Sequence, residues 1–368
     1  MRVLYVSKAM VVAAYRAKLR ALARHCDIHL LVPDRWGSTA FEDSDDAVPV
    51  RRARTFLHGH NHLHVYPGAR RMLRRLAPDL VHIDEEPYSA VTFQLARACA
   101  AARVPCVFFA WQNLHKRMPQ PFRAMRGYVF THAQGAIAGT AQAAAVLHAA
   151  GCTLPYTVIP QMGVDAARFA PDTSVRAGAR ARLRMPANAF IAAFAGRLVR
   201  EKGVHVLIEA LAGVTNARLL VIGDGPERGC LEAQADSQMP GRAVFTGHIE
   251  STAMPGWLCA IDTLVLPSLR TPGWEEQFGR VLVEAMSCGV AVIGAATGEI
   301  PRVIGDAGMI VPEGDTAALR EALETLASSG AYGAKLGRRG RLRVLEHYTH
   351  ERIAVDTMAF YRTVLGAA

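Results

Sequence analysis

The densest run of potentially reactive side chains in this 368-residue sequence is Thr271-Pro-Gly-Trp-Glu-Glu-Gln-Phe-Gly-Arg-Val-Leu-Val-Glu284, which continues to Ile293. It reads as a polar, glycine-containing loop that enters a helix and then a buried strand. The amides of Gly279 and Arg280 fall at the start of that helix, where unpaired N–H groups and the macrodipole favour an anion such as a diphosphate. Glu276 lies just before the helix and Glu284 inside it. The two carboxylates can therefore accept hydrogen bonds from different hydroxyls of one elongated polyol, which is the shape of a nucleotide sugar. A second stretch, Ala195-Gly-Arg-Leu-Val-Arg-Glu-Lys-Gly203, carries Arg197 and Lys202 on a strand-to-helix loop. Two cations there can neutralise a leaving diphosphate by charge-assisted hydrogen bonds; read alone, the same loop is equally a helix start with solvated charges. A third loop, Val221-Ile-Gly-Asp-Gly-Pro-Glu227, supplies glycines for close backbone approach, a weak signal by itself.

These loops need strands to hold them. Short β-branched runs alternate with Ala-, Leu- and Arg-rich stretches of helical period, as in βα units that feed a parallel sheet. In the first half the predicted strands are Arg2–Val6, Asp27–Val32, Leu80–Ile83, Val104–Ala110, Gly135–Ala138 and Thr157–Ile159. The rhythm restarts with Phe190–Ala195, Leu219–Ile222, Val244–Thr246, Thr263–Leu266, Val290–Gly294 and Met309–Val311. Two doubly wound domains are expected, and in such sheets ligands bind at the carboxyl ends of the strands. Pro160 to Pro186, rich in proline and poor in apolar period, reads as an interdomain linker, and Arg35 to Ala47 as a surface loop. Thr349 to Leu365 is amphipathic, with Ile353, Met358, Phe360 and Tyr361 available for packing.

Composition narrows the class. Just over half of the residues are hydrophobic, yet no apolar run reaches the roughly 18 to 20 residues of a membrane span, and Met1 to Ser7 reads as a buried strand rather than a signal peptide. Cytoplasmic residence, at the inner face of the membrane, is the expectation. The seven cysteines are scattered without a C-x-x-C pair and are expected to be buried, reduced thiols. The net charge of +10 sits entirely in the first half, where residues 1 to 170 hold 21 Lys and Arg against 11 Asp and Glu. Such asymmetry suits an anionic lipid surface or an anionic acceptor, and equally a solvated basic face. Arg70, Arg71, Arg74 and Arg75 form a stripe on a helix expected to begin near Pro67, and the reading favours a lipid surface for them. His58, His60, His62 and His64 would line one face of a strand; they lack a carboxylate or thiol partner in the run, so a polar edge or loop is favoured over zinc.

Taken together and in this order, the loops resemble those of the family 4 glycosyltransferases of the GT-B fold. Glu276 and Glu284 match that family's E-x7-E motif, with Phe278-Gly279 and Glu284-Ala285-Met286 in place; Glu275 does not fit, because Val283 stands eight residues beyond it. Gly196-Arg197 with Glu201-Lys202-Gly203, Gly223-Asp224-Gly225-Pro226, Ile261-Asp262 before Leu266-Pro267-Ser268, and Val158-Ile159-Pro160 leading to Gly163-Val164-Asp165 also match. The resemblance implies two Rossmann-like domains with a cleft between them: an acceptor domain of residues 1–164 plus 350–368 and a nucleotide-sugar donor domain of residues 165–349. The final helix would cross back onto the first domain. It further implies retention of anomeric configuration in transfer of a hexose-type sugar, without a metal or other cofactor; the positive charge of residues 1 to 170 adds the expectation of a glycan or lipid-linked acceptor in surface polysaccharide or glycolipid assembly. By position Arg197 and Lys202 would hold the donor diphosphate, and Glu276 with Gln277, Phe278, Gly279 and Arg280 the donor sugar and phosphates. Glu284 would take the ribose hydroxyls, Ile249 would offer its backbone to the base, and Gly223 would permit close approach.

On the acceptor side the candidates are Lys8, Gln112 and Asn113. Where many relatives carry a Gly-Gly loop this chain has Lys8-Ala-Met-Val-Val-Ala-Ala14, and where many have a histidine it has Trp111-Gln112-Asn113. Gln112 and Asn113 cannot serve as a general base, though they can orient a hydroxyl or phosphate. A nucleotide-sugar epimerase or a sugar phosphorylase would suit the same architecture, but the E-x7-E element disfavours both. A non-catalytic protein that binds anionic surfaces leaves Glu276, Glu284, Arg197 and Lys202 unexplained, and nucleic acid is not an expected partner.

Overall fold

The computed structural model describes residues 1–44, 47–182, 186 and 188–366. The chain divides into two compact units, Met1–Gly163 with His350–Ala368, and Val164–Thr349. Val164, expected in the first domain, belongs to the second because its N–H donates to the Tyr348 carbonyl at 2.9 Å and it forms a bridge with Thr349.

In the first unit the strands are β1 (Arg2–Val6), β2 (Asp27–Pro33), β3 (Arg35–Trp36), β4 (Thr39–Ala40), β5 (Val50–Ala53), β6 (Leu80–Ile83), β7 (Cys106–Ala110), β8 (Gly135–Ala138) and β9 (Tyr156–Val158). Seven of them form a parallel sheet in the order β5-β2-β1-β6-β7-β8-β9. The runs Val-Leu-Tyr-Val of β1 and Leu-Val-His-Ile of β6 are apolar on both faces because helices cover both sides of a parallel sheet. β5, Val-Arg-Arg-Ala, has no such pattern because it is the edge strand with its arginines exposed, and it was not expected. The predicted surface loop contains the antiparallel pair β3–β4 and then Glu42, whose carbonyl together with the Ser44 hydroxyl accepts hydrogen bonds from the buried Arg16; residues 45 and 46 lie outside the described residues.

The amphipathic C-terminal segment is a helix over His350–Leu365 that packs on the helix Ala17–Leu22 of this unit. It buries Ile353, Met358, Phe360 and Tyr361, each worth about 1.5 to 3 kcal/mol relative to exposure. Tyr361 also reaches His82 of β6, with its hydroxyl 2.6 Å from Nδ1.

The second unit comprises β10 (Phe190–Ala195), β11 (Ala217–Ile222), β12 (Ala243–Gly247), β13 (Thr263–Leu266), β14 (Ala291–Ala295) and β15 (Met309–Val311), all parallel in the order β12-β11-β10-β13-β14-β15. Both sheets thus grow outward from a central pair, β1 and β6 in one and β10 and β13 in the other, and a crevice opens at the carboxyl ends of such a pair. The predicted linker is mostly part of this unit. Its helix Thr173–Arg182 packs on the helix Met254–Ala260, and Arg176 and Arg180 both pair with Asp262, whose Oδ2 also accepts the Ile191 N–H at 2.7 Å. The arginine positions gave little apolar period because they serve partly buried ion pairs; residues 183–185 and 187 lie outside the described residues. Among the described residues no helix is long and apolar enough to cross a membrane.

Candidate functional site

At the carboxyl ends of β10 and β13 the loops of the second unit bring Lys202 and Glu276 together, with Nζ 2.5 Å from Oε2. The same carboxylate oxygen accepts the Ser268 hydroxyl at 3.0 Å, and the ammonium stands 4.8 Å from the centroid of Trp274. Lys202 ends a short 3-10 turn, Arg200–Lys202, that Gly203 terminates at φ +69°. A side chain at Gly203 would place its Cβ 1.9 Å from the Pro267 carbonyl oxygen, so only glycine lets the loop after β10 lie against the loop after β13. Glu275 faces elsewhere. Its Oε1 holds Arg270 at 2.6 Å and the Gly298 N–H at 2.9 Å, which ties the loop to the one after β14 and explains why two adjacent glutamates have different tasks.

Gly279, at φ +74°, starts the helix Arg280–Ser287, and no side chain caps it. The helix N-terminus thus faces the same strand ends as Lys202 and Glu276, with Phe278 buried behind it edge-on to Tyr348. Glu284 is buried one turn in and pairs with Arg280 at 2.8 Å; burial raises its pKa against the opposing pull of Arg280. Arg197 is exposed in the loop after β10 and forms no ion pair among the described residues. Gly223 ends β11 and donates to the Gly247 carbonyl at 2.9 Å, Gln277 is half-buried, and Ile249, also half-buried, follows β12. The structure therefore joins Lys202 to Glu276 and Arg280 to Glu284, and sets Arg197, Gly223 and Ile249 on loops at the same sheet edge without direct contact to either pair.

The first unit carries a corresponding pair. Lys8, after β1, forms an ion pair with Glu85, after β6, and the Lys8 N–H donates to the other carboxylate oxygen at 3.2 Å. Glu85 is the middle of three consecutive carboxylates, of which Asp84 and Glu85 are buried and Glu86 is half-buried. Asp84 accepts from the Gln161 amide at 3.1 Å and lies 3.8 Å from Lys18; Glu86 accepts from the Trp111 and Gln112 N–H groups at 2.7 and 2.8 Å. Burial pushes both Glu85 and Glu86 up to about 7, against Lys8 in the first case and the two backbone donors in the second. Gln112 accepts from the Tyr88 hydroxyl at 3.3 Å and donates to the Leu114 carbonyl at 2.6 Å, and Asn113 is half-buried beside it. Sequence reading named Lys8, Gln112 and Asn113 but missed Asp84-Glu85-Glu86. The available signal was three acids directly after an apolar strand in the basic half of the chain.

The histidines do not line a strand. They occupy a turn-rich loop closed by a bridge between Phe56 and Val65, so His58 and His60 are exposed, His62 is half-buried and His64 is buried. His64 stacks edge-on against Trp36 with centroids 4.6 Å apart, and its Nε2 lies 3.9 Å from Glu85; burial, then Lys8, lowers its pKa to about 3. Among the described residues no group of three or more His, Cys, Asp or Glu side chains is placed to hold a metal ion. All seven cysteines are free, but Cys230 is exposed and Cys26 half-buried, contrary to the expectation that each is buried.

Comparison with known proteins adds an independent line. Residues 10–162 match the family model described as a glycosyl transferase 4-like domain, and residues 189–329 the model described as glycosyl transferases group 1. The 2-deoxystreptamine N-acetyl-D-glucosaminyltransferase of Streptomyces fradiae is 33% identical over 198 residues, 47% of this chain and 44% of that protein. The lipopolysaccharide core biosynthesis glycosyltransferase LpsE of Rhizobium meliloti is 32% identical over 178 residues, 47% of this chain and 50% of that one. The chain thus spans about half the length of these curated relatives. Among solved structures, Anabaena HepE in complex with UDP superposes with a TM-score of 0.77 over 99% of this chain and 100% of that one at 20% identity, a likeness of fold.

Proposed function

Because this chain has the GT-B fold and its two units belong to the glycosyltransferase families that match them, we propose that it is a retaining, metal-independent glycosyltransferase that moves a hexose-type sugar from a nucleotide-diphosphate donor to a glycan or lipid-linked acceptor. The observation that carries this reading is the Lys202–Glu276 pair at the centre of the second sheet, beside an uncapped helix N-terminus and the exposed Arg197. The ammonium and carboxylate neutralise each other where they meet. A bound donor divides them, with the diphosphate drawing Lys202, Arg197 and the Gly279 helix end, and a sugar hydroxyl donating to Glu276. As the bond from the anomeric carbon to the diphosphate oxygen breaks and the bond to the acceptor oxygen forms on the same face, the cations take up the growing negative charge. The departing phosphate oxygen receives the acceptor proton. Glu284 accepts from the ribose and the Ile249 backbone meets the base. The first unit, with its excess of positive charge, holds the acceptor and rests against the anionic inner face of the membrane.

Thermal melts of the full chain against UDP, GDP and ADP and their glucose conjugates test the donor site. The cognate donor at 100 times its Kd adds about 2.7 kcal/mol of stability. None of them shifting the melt refutes the reading. Transfer is also expected to survive exhaustive chelation; activity lost and regained only with a divalent ion would remove the metal-independent part.

A further inference from the structure

The first unit contains a cavity of about 200 Å3 beside the carboxyl ends of β6 and β7, lined by Glu86, Tyr88, Gln112, Lys116, Arg126 and an apolar wall that includes Leu147. Whole small-molecule ligands take pockets of roughly 300 to 1,000 Å3, so this volume admits one functional group and its neighbours rather than a complete substrate. Its charges are unbalanced. Neither Lys116 nor Arg126 forms an ion pair among the described residues, and the Arg126 guanidinium rests 5.8 Å from the Phe130 ring centroid. Glu86, the carboxylate on the wall, already accepts two backbone N–H groups on Oε1 and is pushed by burial to about 7, so near neutral pH it carries only about half a negative charge against the two cations. A second sign of the field is His62: after burial, the positive charges of Lys8 and then Lys116 lower its pKa.

We propose that this cavity is an anion subsite for the acceptor, in which Lys116 and Arg126 hold a phosphate group and Tyr88 and Gln112 bond the hydroxyls next to it. The arginine offers a planar fork to two phosphate oxygens and the lysine a mobile point charge. The inference rests on the transferase reading above, because it assigns the group to the acceptor of that reaction. The phosphate can belong to a soluble sugar phosphate or to a lipid-linked acceptor.

Two binding arms separate these sources. In the first, calorimetry on the full chain carrying Arg197→Ala, which removes a competing cation of the second unit, compares glucose 6-phosphate with glucose. In the second, vesicles of phosphatidylglycerol are compared with phosphatidylcholine by co-sedimentation. The expected result is at least tenfold preference for the phosphorylated probe in one arm, lost on Lys116→Ala and on Arg126→Ala and retained on Lys116→Arg. The responding arm identifies the source. Unfolding curves on each variant show that the fold is intact. Binding of UDP-glucose, or of whichever nucleotide sugar shifts the melt, to Lys116→Ala, Arg126→Ala and Lys116→Arg made in the chain that keeps Arg197 shows that the donor site is intact. If neither arm prefers phosphate, or if both alanine variants bind like their parent, the subsite is overturned while intact UDP-glucose binding leaves the transferase reading standing. If the unsubstituted chain binds no nucleotide sugar, that reading falls first.

Discussion

At the centre of each unit a lysine that follows one inner strand meets a glutamate that follows the other: Lys8 with Glu85 between β1 and β6, and Lys202 with Glu276 between β10 and β13. The surroundings differ. The Glu85 side chain is 2% exposed, flanked by the buried Asp84 and the half-buried Glu86, which accept from Gln161 and from backbone N–H groups. The Glu276 side chain is 10% exposed, beside an uncapped helix start and an arginine with no ion-pair partner among the described residues. The carboxylates around the first pair already have partners; the second pair lies beside donors that are unspent. Topology thus places a crevice in both units, and the loop chemistry differs between them, which is why the proposed reading assigns the diphosphate to the second.

Removing the carboxylate from each pair exposes this difference most strongly. Glu276→Ala is expected to lower transfer at least a hundredfold, in the range seen when one transition-state contact is lost, while nucleotide diphosphate binding stays nearly unchanged. Glu85→Ala should leave affinity for the nucleotide sugar that shifts the melt untouched and lower stability instead, since it strands Lys8 beside His64. Steady-state transfer and nucleotide titrations on both variants decide the matter; equal losses of transfer with equal stability would erase the distinction between the pairs. Next in size is Gly203→Ala. Its Cβ would meet the Pro267 carbonyl oxygen at 1.9 Å with φ at +69°, so the two loops must separate, at a cost of about 3 kcal/mol. A melting temperature equal to wild type would show that the loops do not need this close approach.

Much of this was legible in the sequence where local pattern and chemistry agree. The apolar runs of β6, β8, β10, β13 and β15 had their observed limits, and Glu276 could be told from Glu275 by its spacing to Glu284. Long-range compensation was not legible. Asp262 lies far along the chain from Arg176 and Arg180, so a helix that uses these arginines as partly buried ion-pair partners looked like a linker. Glu85 reads as an ordinary acid until the fold supplies Lys8 from 77 residues away. His64 likewise packs edge-on against Trp36, which no spacing rule connects to it.

The buried network of the first unit gives a pH signature. His64 and His82 are depressed to about 3 from 6.5, so the unfolded chain binds more protons below about pH 6.5 and these two groups lower stability as pH falls. His62 and Asp84, also lowered, act in the same direction. Glu85 and Glu86, raised to about 7 from 4.5, bind protons in the native state first, so they lower stability as pH rises from about 4.5 to 7. The opposing slopes largely offset between about pH 4.5 and 6.5. Below that window the glutamates are protonated in both states and the histidine slope remains, about 1.4 kcal/mol per pH unit for each group. Glu86→Gln keeps an oxygen for Trp111 and Gln112 and removes one rising cost, so it should stabilise by on the order of 2 kcal/mol at pH 8 and little at pH 4.5. Urea melts of wild type and variant at pH 4.5, 6 and 8 are sufficient; a gain that is the same at all three would show that Glu86 does not titrate as described.

The smallest expected effect lies on the outside of the first unit. Arg70, Arg71, Arg74 and Arg75 are exposed on the helix Ala69–Leu76, whose Ala69, Leu73 and Leu76 are buried in the core. The helix therefore presents its basic face to solvent without an apolar stripe beside it, so any lipid contact is electrostatic. Each arginine is worth about 1 kcal/mol near an anionic surface, and the attraction fades within a Debye length of about 10 Å at 0.1 M salt. Co-sedimentation at low salt is expected to retain wild type on anionic but not zwitterionic vesicles, with the bound fraction falling as salt is raised. Replacing all four arginines by glutamate should weaken binding without altering the melting temperature or the UDP-glucose titration, because none of the four makes an ion pair among the described residues. If wild type ignores both kinds of vesicle, the basic face is solvated and the two units differ only in their central loops.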